Sequence, residues 1–311
     1  MTLNPISNNK LIGYNEIFLE LKNLYDKNLL PNKIIFSGNS GIGKSTLAYH
    51  LINYIFSINE KDKYNYINNT ISDLNNSYNL VQNNLHPNFY LITNDDNKSS
   101  IQVSKIREMI NYTYKSSFNS QAKVILIDNI EYLNVNSINA LLKVIEEPND
   151  NTFFFLIHNN KIKILNTLNS RCIKFNLFLN YENTLEVINN LIDESFYKNL
   201  NNDFKNIYNS PGDILELKNL FKVNNIDEDI SIEDLLKLII EKSLIKNNSY
   251  LKKKLHIFIE LYFKKNFFII KSKANSYYLY KYFLNKFANC SKYNLDIESL
   301  LIEFKHKVFY G

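Results

Sequence analysis

The eight residues Gly38-Asn39-Ser40-Gly41-Ile42-Gly43-Lys44-Ser45 constrain this chain more than any other stretch, because they match the pattern G-x-x-x-x-G-K-[ST] in full. Glycines in such a run let successive backbone N–H groups point into one concavity. A helix that follows adds its own N-terminal N–H groups and the positive end of its dipole. Lys44 then reaches the β- and γ-phosphates of a nucleotide, the Ser45 hydroxyl holds Mg²⁺, and Thr46 stands beside them. The pattern has this meaning only between a strand and a helix. Both are predicted here: Lys33–Ser37 is a short apolar run, and Leu47, Leu51, Ile52 and Ile55 recur at helical spacing.

Four more short runs suit strands: Phe89–Ile92, Lys123–Ile127, Thr152–Ile157 and Ile173–Phe175. Their continuous apolar character predicts a parallel sheet buried on both faces, and helical patterns between most of them predict a doubly wound α/β domain. One such helix carries Val135, Ile138, Leu141, Leu142 and Ile145 and is stopped by Pro148. The Asn-rich stretch from Asn65 to Asn84 reads as a loop holding one short helix, on Ile71, Leu74, Tyr78 and Val81. Beyond about residue 180 the patterns are helical. Leu185, Ile188, Leu191 and Ile192 mark one helix, residues Leu235 to Ile240 a second, and Tyr250 to Phe309 three or more. A polar break at Asn224–Asp229 is the expected linker, and no internal repeat is visible.

Composition narrows the setting. The chain has 311 residues, 45% hydrophobic and 22% charged, as in a soluble globular protein of two or three domains. No run is long and apolar enough to span a bilayer, and residues from Met1 onward lack a secretory pattern, so no membrane association is expected. Cys172 and Cys290 are the only two cysteines. They provide neither a disulfide framework nor a four-cysteine zinc site, so no zinc is expected and a reducing cytoplasm is the predicted location. The net charge of +5 permits nucleic-acid contact without requiring it, and Lys161 and Lys163 are candidates for such contact. The abundance of Asn, Ile, Lys, Tyr and Phe is what AT-rich codon usage produces.

Asp128 ends the Lys123–Ile127 run, where a carboxylate can hold Mg²⁺ through water. Asn139-Ala-Leu-Leu-Lys-Val-Ile-Glu-Glu-Pro148 follows at short range, and Ser170-Arg171-Cys172 comes after the next strand. Taken together with the phosphate loop, these motifs make residues 8 to 216 resemble the clamp-loader ATPases of bacterial DNA polymerase III, the gamma/tau and delta-prime subunits of the AAA+ class. His86–Tyr90, Ile101–Arg107 and Ser210-Pro-Gly-Asp-Ile-Leu215 look most like delta-prime. The resemblance implies three parts: an AAA+ P-loop domain with a parallel sheet at 1–176, a helical lid at 177–224, and an all-α C-terminal collar domain at 225–311. In the collar, Ile297, Leu300, Leu301 and Phe304 suit either a core or an oligomeric interface.

The same resemblance implies roles for single residues. Arg171 would reach across a subunit interface as an arginine finger, stabilising charge on a neighbour's ATP. His158 or Asn159, at the end of the Thr152 run, would be the polar residue that senses the γ-phosphate; Asn159 is the chosen candidate. Asn129 stands where motor ATPases carry the glutamate that polarises water, and Asn cannot serve as a base. Glu131 is expected to face elsewhere. Gly212 and Asp213 occupy the neighbourhood of the motors' lid arginine. The implied function is loading of a sliding clamp onto primed DNA, within a hetero-pentamer with delta and gamma/tau subunits, as part of a polymerase holoenzyme but not as the polymerase. ATP and Mg²⁺ binding with weak or absent hydrolysis is expected. The alternatives are a gamma/tau-like motor that hydrolyses ATP itself, and a P-loop small-molecule kinase.

Overall fold

The computed structural model describes residues 4–94, 100–149, 151–191, 194–205, 209–246, 248–266, 273–293 and 295–310. All five predicted strands form: β1 (Lys33–Gly38), β2 (Phe89–Ile92), β3 (Lys123–Ile127), β4 (Thr152–Asn159) and β5 (Ile173–Asn176). They make one parallel sheet in the order β2-β3-β4-β1-β5. Alternate residues of the strands enter different cores, as the pleat requires. Ile34, Phe36, Val124, Leu126 and Phe155 join one core; Ile35, Ile125, Ile127, Phe154 and Leu156 join the other. This two-sided burial explains why the strands read as continuous apolar runs rather than as alternations.

The first core is closed by helices α1 (Asn15–Asp26), α2 (Lys44–Ser57) and α3 (Asn76–Gln82), through residues such as Leu21, Leu47, Leu51 and Val81. The second is closed by α4 (Val103–Thr113), α5 (Val135–Glu146) and the short α6 (Asn166–Asn169), through Ile106, Leu141, Ile145 and Leu168. Asn75 and Asn134 start α3 and α5 by accepting the backbone N–H three residues ahead. Two readings need correction. Val135 is exposed at the start of α5 rather than part of its buried stripe, and Ile71 and Leu74 precede α3, with Leu74 exposed.

The chain divides into two compact units, 1–191 with 210–215, and 192–209 with 216–311. The sheet, the helices α1 to α6 and α7 (Tyr181–Leu191) lie in the first. Ile192, expected at the end of α7, lies outside the described residues. The second unit contains α8 (Glu194–Asn199), α9 (Asn202–Lys205), α11 (Ile232–Glu241), α12 (Ser249–Asn266), α13 (Lys273–Tyr293) and α14 (Ile297–Phe304). Helix α10 (Pro211–Asn224) begins in the first unit and ends in the second. The segment 177–224 is therefore shared between the units. The polar stretch Asn224–Asp229 lies inside the second unit, where Ile226 is buried and Asn201 donates to the Asp229 carbonyl at 3.0 Å. Phe204 packs on Phe221 and Phe258, and Phe304 on Phe263 and Phe283, so Phe304 belongs to a core. Among the described residues no helix is long and apolar enough to cross a membrane.

Candidate functional site

Parallel strands bring their C-terminal ends to one edge of the sheet, and three of those ends build the site. Gly38 closes β1 and pairs in register with Asn159 at the end of β4, while Asp128 follows β3 directly. Residues Asn39 to Gly43 form the turn into α2, whose first residues are Lys44, Ser45 and Thr46. Gly43 precedes the helix with φ +87 and provides no side-chain cap, so the helix opens on its own N–H groups. The Lys44 ammonium folds onto the loop, donating to Gly38 O at 3.0 Å and Asn39 O at 2.6 Å. The Ser45 hydroxyl donates to both Asp128 carboxylate oxygens at 3.3 Å.

Two neighbours were missed or misplaced by reading the sequence. Glu131 does not face away. A 3₁₀ turn over Ile130–Tyr132 swings it back, and its carboxylate accepts the Asn159 N–H at 3.1 Å. Tyr14, buried, donates its hydroxyl to Ile42 O at 2.8 Å and braces the loop from beneath. His158 is occupied structurally: its ring nitrogens lie 2.9 Å from the Ser37 hydroxyl and 2.7 Å from Ile162 O. Asn159, whose side-chain oxygen accepts the Lys161 N–H at 3.3 Å, is the other polar side chain at this strand end.

Burial raises the Asp128 carboxyl above its ordinary value, opposed by the Ser45 hydroxyl and the Lys44 ammonium. Burial lowers Lys44, opposed by Glu131 and then Asp128. One ammonium facing two carboxylates leaves the site short of positive charge, a balance that a divalent cation corrects. The donor set therefore fits a magnesium-bound nucleoside triphosphate. Lys44 and the opening of α2 would hold its phosphates, and Ser45 and Asp128 would hold the ion.

The start of α10 lies on this loop. Ser210 and Asp213 cap the helix reciprocally, at 3.2 and 3.3 Å, with Pro211 in its first position. The Gly212 N–H then donates to Gly41 O at 2.9 Å. Gly41 has φ +77, and a Cβ there would lie 2.3 Å from the Ser210 hydroxyl; a Cβ on Gly212 would lie 2.7 Å from Gly41 Cα. The motif leaves position 41 free, so its glycine serves this close approach.

Arg171 is elsewhere. It precedes β5, whose first residue Ile173 pairs with Ile34 near the start of β1. Gly38 is four residues further along β1, about 13 Å away along the strand. Arg171 thus stands at the opposite edge of the sheet from the phosphate loop of its own chain. Its Nε donates to Glu146 at 2.7 Å and a terminal nitrogen donates to Thr167 O at 3.0 Å, with the side chain 39% exposed.

The family model described as DNA polymerase III, delta subunit, matches residues 13–179, which is more than half of the chain and spans every site residue from the loop to Arg171. The chain belongs to this family. It is 33% identical over 152 residues to the DNA polymerase III subunit delta-prime of Buchnera aphidicola from Baizongia pistaciae, covering 47% of this chain and 44% of the relative. It is 27% identical over 240 residues to the subunit of the same name from the Schizaphis graminum strain, covering 74% of this chain and 69% of that one. The chain thus spans less than half of the first of these relatives. The crystal structure of a DNA polymerase III gamma subunit-related protein from Thermotoga maritima superposes with a TM-score of 0.50 at 15% identity, covering 92% of this chain and 96% of that one. That likeness carries the fold alone. The family match makes this a delta-prime-like P-loop protein with the predicted AAA+ architecture.

Proposed function

We propose that the chain acts as the delta-prime subunit of a clamp loader, holding nucleotide with little or no turnover and lending Arg171 to a neighbouring subunit's ATP. The observation that carries this reading is the separation of Arg171 from its own phosphate loop across the sheet. A guanidinium at that edge cannot serve its own nucleotide, but it can serve one held by a partner. Its pairing with Glu146 is solvent-exposed, and such pairs contribute about 0–1 kcal/mol, so the side chain can be released at small cost.

Two features favour holding over hydrolysis. Asn129 follows Asp128 and offers no base. The start of α10 meets the loop through Gly212, and the helix contains no arginine. The partners in this reading are delta and gamma/tau subunits in a hetero-pentamer in the cytoplasm, with the sliding clamp and primed DNA reached through the complex. The test is reconstitution with those subunits. Arg171→Ala should lower the ATPase and clamp-loading rates of the assembly by about 10³-fold at the site served, leaving its mass unchanged. Unaltered rates would refute the role. Turnover by the isolated chain that Lys44→Ala abolishes would favour the motor reading instead.

A further inference from the structure

Positive charge is unevenly placed along this chain. Residues 242–311 contain 14 Lys and only four acids, Glu260, Asp296, Glu298 and Glu303. The preceding 241 residues contain 22 Lys and Arg against 27 Asp and Glu. Codon bias toward Lys and Tyr acts on the whole chain and does not account for this segregation. Nor does helix stability. Lys252, Lys253 and Lys254 occupy the opening turns of α12, where the dipole repels cations, whereas α11 and α14 open on acids as a helix prefers.

Helix α13 concentrates the effect. It contains no Asp or Glu. Ser276, Phe283 and Cys290 are buried and recur every seven residues, which fixes the inward face. The outward face carries Tyr277, Lys281, Asn285, Ala288 and Lys292, all exposed and spread over about 22 Å. Tyr278, 64% exposed, stacks on Tyr282 with ring centroids 6.2 Å apart. The Lys286 and Lys307 ammoniums also lie against the Tyr282 ring, 4.9 and 4.4 Å from its centroid, and both lysines are anchored on Glu303. The result is an exposed Tyr278 ring on a braced mount, with Tyr277 exposed beside it in sequence and lysines spaced along the same face. Rings that stack on bases, interleaved with cations that attract phosphates, are the chemistry of single-strand recognition. A duplex would use the lysines but has no free base face for the tyrosines.

We propose that the outward face of α13 binds single-stranded nucleic acid, with bases stacked on Tyr277 and Tyr278 and phosphates drawn by Lys281 and Lys292. This inference rests on charge and geometry within the second unit and is independent of the role given to Arg171. The test uses the full chain and a labelled 20-nucleotide oligo(dT), its duplex with oligo(dA), and vesicles containing phosphatidylserine. The single strand should bind more tightly than the duplex. Replacing Tyr277 and Tyr278 together with Ala should weaken it by about ten-fold or more. Replacing Lys281 and Lys292 together with Ala should reduce the slope of log K against log salt by about 1.4. These side chains are exposed, so circular dichroism should be unchanged. The proposal is overturned by no binding of the single strand, by equal binding of the duplex, by preference for the vesicles, or by substitutions that leave oligonucleotide affinity intact while blocking assembly with other loader subunits.

Discussion

Asn129 has a left-handed backbone, with φ 60 and ψ 62. Side chains with a free Cβ resist that region by about 1–2 kcal/mol, and Asn is the residue that tolerates it best after Gly. The residue at the position where the resemblance places a motor's glutamate therefore also suits the local turn. Placing a glutamate there should fail twice. Asn129→Glu should lower the unfolding free energy by about 1 kcal/mol in urea titration and should not produce steady-state ATPase activity. Appearance of turnover would show that the missing base was the only barrier. The same logic applies across the chain. Among the described residues, seven of the nine non-glycine positions with positive φ are Asn. With only six glycines in the sequence, Asn performs the turning that glycine performs elsewhere. An Asn-rich composition that codon usage alone explains in the sequence has a use in the backbone.

Between elements, the tightest contact at the site is that of the phosphate loop with the start of α10. A methyl group on Gly212 would meet backbone, which cannot rotate aside. Gly212→Ala should cost about 1–3 kcal/mol, read as a lower urea midpoint, because overpacking must displace one element or the other. An unchanged midpoint would show that the helix start yields freely. This contact was invisible in the sequence, where Gly41 and Gly212 are separated by most of the chain and only the motif around each could be read. The five strands and the phosphate loop were legible because their patterns are local: apolar runs, glycine spacing, a carboxylate at a strand end. Glu131 was not, because a three-residue turn decides which way it faces and periodicity carries no such information. Lys123 was legible only as the first residue of a strand. Its buried ammonium in fact caps the end of α4, donating to Tyr112 O at 3.0 Å, to Thr113 O and to Lys115 O. Which residues end on the same face of an element could be inferred; which elements meet depended on the sheet order.

At the scale of the whole molecule, stability should depend on acid in a definite window. Burial pushes both His50 and His86 down to about 4, from an ordinary value near 6.5. His50 stays neutral in the folded chain against the Tyr64 hydroxyl at 2.7 Å, and His86 stacks on Phe56. Between pH 6.5 and 4 the unfolded chain binds protons that the folded chain refuses, so stability falls as pH falls through that range. Each histidine contributes at most about 1.4 kcal/mol per pH unit. Thermal melts from pH 7 to pH 5 should show a falling midpoint, and a chain with His50→Gln and His86→Gln should show a flatter dependence. A parallel dependence in the two would place the acid sensitivity in the carboxylates. The placement of the phosphate loop and Arg171 on opposite rims of one parallel sheet has a geometric result of its own. Under the role proposed for Arg171, the body has a socket on one side and a plug on the other, and so has a direction. Copies or relatives joined through both can only stack head to tail, and the small rotation at each joint decides whether the stack closes into a ring or winds on as an open spiral.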